Sequence, residues 1–381
     1  MKKIYILFCL LLSIVFCNCA TTGSVKNTVN TNKVSGNKNN DKLRVLQFEG
    51  TPYTELPEGT DGSVGTKGRY VLFGDWPQTI KAADIVIDET TVSYMGAHTY
   101  YLGSDGAWYY QGKEIVGGTW GNYIYSDGTK PELFGIRYFK VEPIKWRIAT
   151  SDYNEKKLLV SETLITSVKY YLNNERRMIN NEIIYANNYE HSTLRAFLNG
   201  LEFEYKESKN SKQILNTEYK DKGFLQTAFT LDMREQITIT DVDNSQRSAN
   251  PYRNEKELAD GINMYACNNT NDKIFALSFR EVTNPDYGFT ADYKIRDITD
   301  SRHRDINDYL LLLNVSPSCG WWLRSPYFNR NGYENNSAIN SPELSGETTA
   351  RAVSSKDGYS DQSCPPVNIY GCAIIPALCL E

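Results

Sequence analysis

Gly320-Trp321-Trp322-Leu323-Arg324-Ser325-Pro326 is the densest chemical signal in the chain. Neighbouring residues of a strand point to opposite faces. Two adjacent tryptophans are therefore expected to split, one filling the core and the other lining a surface or a second layer. Arg324 is expected to satisfy buried carbonyls or to pair with an acid. The stretch reads first as a structural strand that organises a large loop, and second as the wall of a ligand site.

Working downstream, residues 327–340 read Tyr-Phe-Asn-Arg-Asn-Gly-Tyr-Glu-Asn-Asn-Ser-Ala-Ile-Asn. These residue types suit recognition loops, because tyrosine adds contact area at low entropy and amides adapt their hydrogen bonds. Tyr327, Asn329, Asn331, Tyr333, Asn335 and Asn336, with Tyr359 and Tyr370 further on, are the candidate ligand-binding residues. A solvated loop is the rival reading. Beyond it, residues 350–354 and 371–380 return to β-structure.

Upstream, residues 301–313 are expected to be helical, and residues 273–277 a strand. Residues 191–198 carry Leu194, Phe197 and Leu198 at helical spacing, with Ser192 to cap the start and Asn199-Gly200 to stop it. Residues 223–229 form another short helix. The first half is mainly β. Runs at 70–73 and 76–80 flank Gly74-Asp75, and runs at 99–102 and 107–110 flank a loop ending in Asp105-Gly106, a strong hairpin signal. A run at 123–125 precedes Asp127-Gly128. Runs at 138–141 and 144–148, bent at Pro143, lead to 158–160. The predicted fold class is α+β, made of twisted antiparallel hairpins with a few short helices and a loop-rich C-terminal half.

The chain opens with Met1-Lys2-Lys3, an apolar run over 4–16, then Cys17-Asn18-Cys19-Ala20. That is the plan of a secretory signal. The run of about 13 residues covers roughly 20 Å, short of the ~30 Å of a bilayer core. Cys19 is preferred over Cys17 as the lipid-attachment residue, because bulky Phe16 precedes Cys17. The expected layout is a lipoprotein signal peptide over 1–18, a flexible Asn/Thr/Lys-rich tether over 19–42, and one α+β domain over 43–381. The formal net charge of −5 lacks the basic footprint of a nucleic-acid binder. Of the eight cysteines, Cys267, Cys319, Cys364, Cys372 and Cys379 remain after signal removal and lipidation, an odd set. Cys372 and Cys379 read as small apolar residues of the terminal strand.

No catalytic set is assembled by spacing. His98, His191 and His303 are scattered singly, and there is no HExxH pair, P-loop or GxSxG elbow. Asp241, Asp243 and Ser245 begin like a calcium loop, but Gln246 stands where glycine is required. No metal and no cofactor is expected.

Seven blocks together resemble one bacterial family. They are Tyr70-Val71-Leu72-Phe73-Gly74-Asp75-Trp76-Pro77-Gln78-Thr79-Ile80, Val141-Glu142-Pro143-Ile144-Lys145-Trp146-Arg147, Ser192-Thr193-Leu194-Arg195-Ala196-Phe197-Leu198-Asn199-Gly200, Gly223-Phe224-Leu225-Gln226-Thr227-Ala228-Phe229, Asp272-Lys273-Ile274-Phe275-Ala276-Leu277-Ser278, Trp321-Trp322-Leu323-Arg324-Ser325-Pro326 and Ile375-Pro376-Ala377-Leu378-Cys379-Leu380. The family is domain of unknown function 6273, and the resemblance covers about 68–381, with Trp76, Trp146, Trp321, Trp322 and Arg324 as its structural motif. The ending resembles the C-type-lectin-like fold of the formylglycine-generating-enzyme type. This chain lacks a recognisable copper-binding cysteine pair or histidine triad like those of the catalytic lectin-like relatives, so their oxidative chemistry does not carry over. Its segment 329–349 is longer than the family pattern, and Cys372 and Cys379 stand where related endings have Val and Ser.

The resulting expectation is a non-enzymatic lipoprotein of the cell envelope, placed at the outer membrane, with a lectin-like domain that binds an extracellular protein or a glycan, as an adhesin does. The alternative is a structural or assembly component of the envelope without a small-molecule ligand. A hydrolase or oxidase with dispersed residues is the third and weakest reading. The membrane through the lipid anchor is the expected standing partner.

Overall fold

Strands β1 (Arg44–Val45), β2 (Thr54–Glu55), β3 (Tyr70–Ile80), β4 (Ile87–Met95), β5 (His98–Gly103), β6 (Trp108–Lys113), β7 (Ile136–Tyr153) and β8 (Lys156–Ser161) follow one another along the first half. Then come two small hairpins, β9 (Arg177–Ile179) with β10 (Glu182–Ile184) and β11 (Phe203–Lys206) with β12 (Gln213–Asn216), and the pair β13 (Thr240–Val242) with β14 (Thr270–Asp272). The chain ends through β15 (Ile274–Ala276), the paired β16 (Gly320–Pro326) and β17 (Ala350–Ser354), and β18 (Pro376–Leu380). This computed structural model describes residues 43–57, 69–114, 123–208, 210–249, 267–289, 291, 305–315, 320–326, 350–354 (backbone) and 372–381. The chain divides at Asp41 and Lys42, and the fold is that of Lys42–Glu381.

Ten strands form the main sheet, in the order β1-β4-β5-β6-β7-β8-β18-β15, with β3 on β7 and β2 on β3. All neighbours are antiparallel except β1 and β4. The 18-residue β7 joins its halves. Phe139 lies between Ile80 of β3 and Tyr110 of β6, and Trp146 lies between Val71 of β3 and Ser161 of β8. Pro143, which has no N–H to donate, stands opposite Asp75, where the register of β3 shifts.

Gly74-Asp75 is thus not a turn between two strands but an irregularity inside one. Gly74 has φ +71°, and a Cβ there would lie 2.5 Å from the Phe229 ring. Only glycine accepts both the left-handed backbone and that close approach. The run at 123–125 is not a strand; it leads into the turn closed by Tyr125 N–H on Thr129 O. The hairpin of β5 and β6 stands where Asp105-Gly106 marked it.

Among the described residues five short α-helices accompany the sheet: α1 (Thr193–Asn199), α2 (Phe224–Ala228), α3 (Leu231–Gln236), α4 (Gln246–Ala249) and α5 (Asp308–Leu312). In α1 the Ser192 hydroxyl accepts from Arg195 N–H at 3.0 Å, and Gly200 closes the end at φ 70°. The helix expected over 301–313 is α5, capped by Asn307; residues 301–304 lie outside those described. Mostly β with short helices, the fold is α+β.

Alternation along the C-terminal strands separates two apolar clusters. Leu159, Ile274, Ala276, Leu378 and Leu380 pack in one, with Phe73, Trp76, Trp146 and Trp322. Leu158, Val160, Phe275, Leu277, Ala377 and Cys379 pack in the other, with Trp321 and Leu323. A sheet buried on both faces explains the unbroken apolar runs at 274–277 and 374–380. The tryptophan pair divides between the faces as expected, and of the two alternatives for the outer ring it is the second layer that holds: Trp322 enters one core and Trp321 the other, both fully buried. Cys372 and Cys379 are buried in the two clusters, one in each, as expected of small apolar residues.

Candidate functional site

The structural motif comes first, because it fixes what the site stands on. The Trp322 indole N–H donates to Val168 O at 2.9 Å and that of Trp146 to Phe73 O at 2.8 Å. Trp76 packs edge-on or tilted against Phe224, Tyr309 and His98. Burial pushes His98 down to about 3, so its imidazole is neutral. None of these rings faces solvent.

Arg324 does both things expected of it. Its Nη1 donates to Ala276 O at 2.8 Å and Glu281 Oε2 at 2.6 Å, and its Nη2 donates to Glu281 Oε1 at 2.8 Å and Asp243 O at 3.0 Å. Glu281 also accepts from Tyr153 Oη at 2.6 Å and Ser278 N–H at 2.7 Å. Burial alone would raise the Glu281 carboxyl, but Arg324 overcomes that and holds it below its ordinary value. This forked pair ties β7, β15 and β16 together.

The candidate site is a cleft of about 140 Å3 lined by Glu190, His191, Ser192, Arg195, Ala196, Leu201, Glu202 and Phe203. It forms at the start of α1 because the cap turns the chain there. Arg195 reaches from that helix to Asp272 of β14, Nε to Oδ1 at 2.8 Å, and its Nη1 donates to Glu190 O at 3.0 Å. Thr270 Oγ1 donates to the other Asp272 oxygen at 2.7 Å. Asp272 is nevertheless raised, since burial outweighs those partners. Across the helix, Asn199 accepts from Lys273 N–H and Ile274 N–H and donates to Ile274 O. The cleft wall is thereby fixed to the sheet edge.

Inside the cleft the Glu190 carboxylate accepts from Asn268 Nδ2 at 3.2 Å and stands 3.9 Å from His191 Nε2. Burial lowers His191; Glu190 works against that, and Arg177 and Arg195 reinforce it, so the imidazole is held below its usual range. Behind it, buried Arg177 of β9 stacks on the Tyr171 ring at 4.1 Å and donates from Nη2 to His191 O at 2.6 Å, while its Nε and Nη1 have no hydrogen-bond partner among the described residues. The Ser192 hydroxyl is committed to the cap, donating to Tyr189 O and accepting from Arg195 N–H. What the cleft offers is an imidazole, a guanidinium edge and a carboxylate above Ala196, Leu201 and Phe203. That chemistry suits hydrogen bonding to a polar group such as a sugar hydroxyl or a peptide amide.

Tyr327, Asn329, Asn331, Tyr333, Asn335, Asn336, Tyr359 and Tyr370 lie outside the described residues, as do Cys17, Cys19, Cys319, Cys364 and His303. What is described is the root of their segment: β16 and β17 pair antiparallel, with Pro326 opposite Ala350. Arg177, Arg195, Asp272 and Glu281 were not expected as a group. Only the cap of α1 marked their neighbourhood, and no local pattern links residues brought in from separate elements.

By architecture this is an α+β protein with one large open sheet and a cleft at its helical flank. Residues 154–381 match the family described as Domain of unknown function (DUF6273), and the chain belongs to that family. The match takes in the last five of the seven blocks quoted above; those at 70–80 and 141–147 precede it. Comparison with curated proteins found no match, and comparison with solved structures found none either. Among the described residues no helix is long and apolar enough to cross a membrane.

Proposed function

We propose that this chain is an envelope lipoprotein, lipidated at Cys19, whose domain is lectin-like and binds a protein or glycan ligand through residues 327–340 and neighbouring loops. The supporting observation is the root of that segment. Tyr/Asn/Ser-rich residues 327–349 join two paired strands, and the first of these is buried from Trp321 to Pro326 and clamped by Arg324 on Glu281. Recognition residues on a rigid support lose less entropy on binding than residues on a loose one. The test is protease treatment of intact cells with intact-mass analysis of the same protein. Shaving of the domain together with a diacylglycerol-bearing Cys19 supports the reading. Protection until the outer membrane is opened would remove the external ligand.

A second reading has its own observation. Met178 and Ile183 are cross-strand partners in the β9–β10 hairpin and both are exposed, as are Ile214 and Leu215 of β12. Exposed apolar residues on short edge strands favour a protein partner, as in an assembly component of the envelope. One stable partner recovered after gentle crosslinking would support it; a clean monomer would count against it.

A further inference from the structure

In the cleft at the start of α1 the polar side chains are pinned on one side and keep hydrogen-bonding capacity on the other. Arg195 commits Nε to Asp272 and Nη1 to Glu190 O, while its Nη2 makes no hydrogen bond among the described residues. The side chain stays 19% exposed. His191 is fixed by its backbone, its N–H donating to Asn188 Oδ1 at 3.1 Å and its carbonyl accepting from Arg177 Nη2. Its imidazole, 28% exposed, makes no hydrogen bond among the described residues, and Glu190 Oε2 at 3.9 Å is too far for one. Glu190 is steadied by Asn268, whose N–H and Nδ2 donate to it at 3.3 and 3.2 Å, and a carboxylate has acceptor sites beyond those. A purely structural ion network would use these groups up. Side chains held in place with capacity to spare are what a binding site requires.

We propose that this cleft binds one neutral sugar ring through adjacent hydroxyls, with Arg195 Nη2 as donor, Glu190 as acceptor and the His191 imidazole as the third contact. Charge selects that class. An anion would meet the Glu190 carboxylate, and a cation would meet Arg195 and, behind His191, buried Arg177. A hydroxyl serves both signs at once, because its O–H donates to the carboxylate while its lone pairs accept from the guanidinium. Two hydroxyls side by side on a ring repeat that pattern, and Ala196, Leu201 and Phe203 supply apolar ground for the ring C–H groups. Size narrows the choice further. At about 140 Å3 the cleft is well under the ~300 Å3 at which pockets for drug-sized ligands begin, so it takes one ring. A main-chain amide would need room for the residues on either side of it. None of the groups invoked belongs to residues 327–340, so the cleft and that segment are tested apart.

The test is a nuclear magnetic resonance titration of the full-length protein. Its three histidines give three imidazole Cε1–H signals, and His191→Leu shows which of them is His191. The probes are methyl glucoside, methyl mannoside, methyl galactoside and N-acetylglucosamine, with acetate and acetamide as comparators. At least one sugar is expected to shift the His191 signal saturably. Glu190→Gln, and His191→Leu followed by saturation transfer to the sugar, should each weaken binding roughly tenfold at unchanged thermal unfolding; if one variant unfolds, the other decides. A His191 signal that none of the four sugars moves overturns the proposal, and so does unchanged binding by the folded variants. Acetate or acetamide shifting His191 as readily as any sugar at equal concentration would make the cleft an anion or amide site, which also overturns it. The protein with residues 327–340 exchanged for Gly/Ser should still bind the sugar. Loss of binding there, with Glu190→Gln and His191→Leu unaffected, would assign the sugar to that segment, overturning the cleft and leaving the loop reading in place.

Discussion

Replacing Arg324 with methionine removes one side of the most buried charge pair among the described residues. Glu281 would keep Tyr153 Oη and Ser278 N–H but lose both guanidinium bonds, and the carbonyls of Ala276 and Asp243 would lose their donors. One-sided removal of a buried pair costs about 3–5 kcal/mol, measurable by urea unfolding followed through tryptophan fluorescence. The pH dependence is more diagnostic. In the wild type the folded Glu281 lies below its ordinary 4.5, so its stabilisation is present above that value and fades as pH falls through the folded one. In Arg324→Met the counter-charge is gone and burial pushes Glu281 up. The folded state then binds more protons than the unfolded, and stability falls as pH rises. The two stability curves should therefore converge on moving from pH 7 toward about 4.5, and Arg324→Met with Glu281→Met should recover most of the loss. A deficit under about 1 kcal/mol at neutral pH, or parallel pH curves, would refute the view that this pair holds β16 in place.

His98→Phe should flatten the acid limb of the stability curve. Burial pushes His98 down to about 3, so between that value and about 6.5 the unfolded chain binds the extra proton, and stability rises with pH by up to about 1.4 kcal/mol per unit; an unchanged slope by denaturant titration would contradict this. Trp322→Phe should cost about 1–3 kcal/mol, since it leaves the buried Val168 carbonyl without its donor. Thermal unfolding within error of wild type would show that bond to be dispensable.

Where structure follows from neighbours in the chain, it was legible. Ser192 and Gly200 bracket α1 because capping is local. Asp105-Gly106 marks a hairpin for the same reason, and Trp321-Trp322 marks a strand with two apolar faces. What failed was distant in sequence. Gly74 looks like a turn until the Phe229 ring is laid beside it, and nothing local decides whether the second tryptophan meets a surface or a second core. The hairpin at Asn180-Asn181, with both residues at positive φ, has no apolar alternation to announce it, as Met178 and Ile183 face solvent. The cleft was hidden likewise: Arg177, Arg195 and Asp272 come from β9, α1 and β14, and His191 alone carries no spacing signal. Glu281 became visible as the partner of Arg324 only once the chain was folded.

The most direct test of a recognition role is binding by the protein in which residues 327–340 are replaced by a Gly/Ser segment of equal length. Wild type and variant would be compared on glycan and surface-protein panels, with thermal unfolding measured on both. The account predicts that wild type retains a ligand which the variant loses, at unchanged stability, because β16 and β17 remain paired beneath the exchanged segment. Equal binding by two equally folded proteins would contradict it.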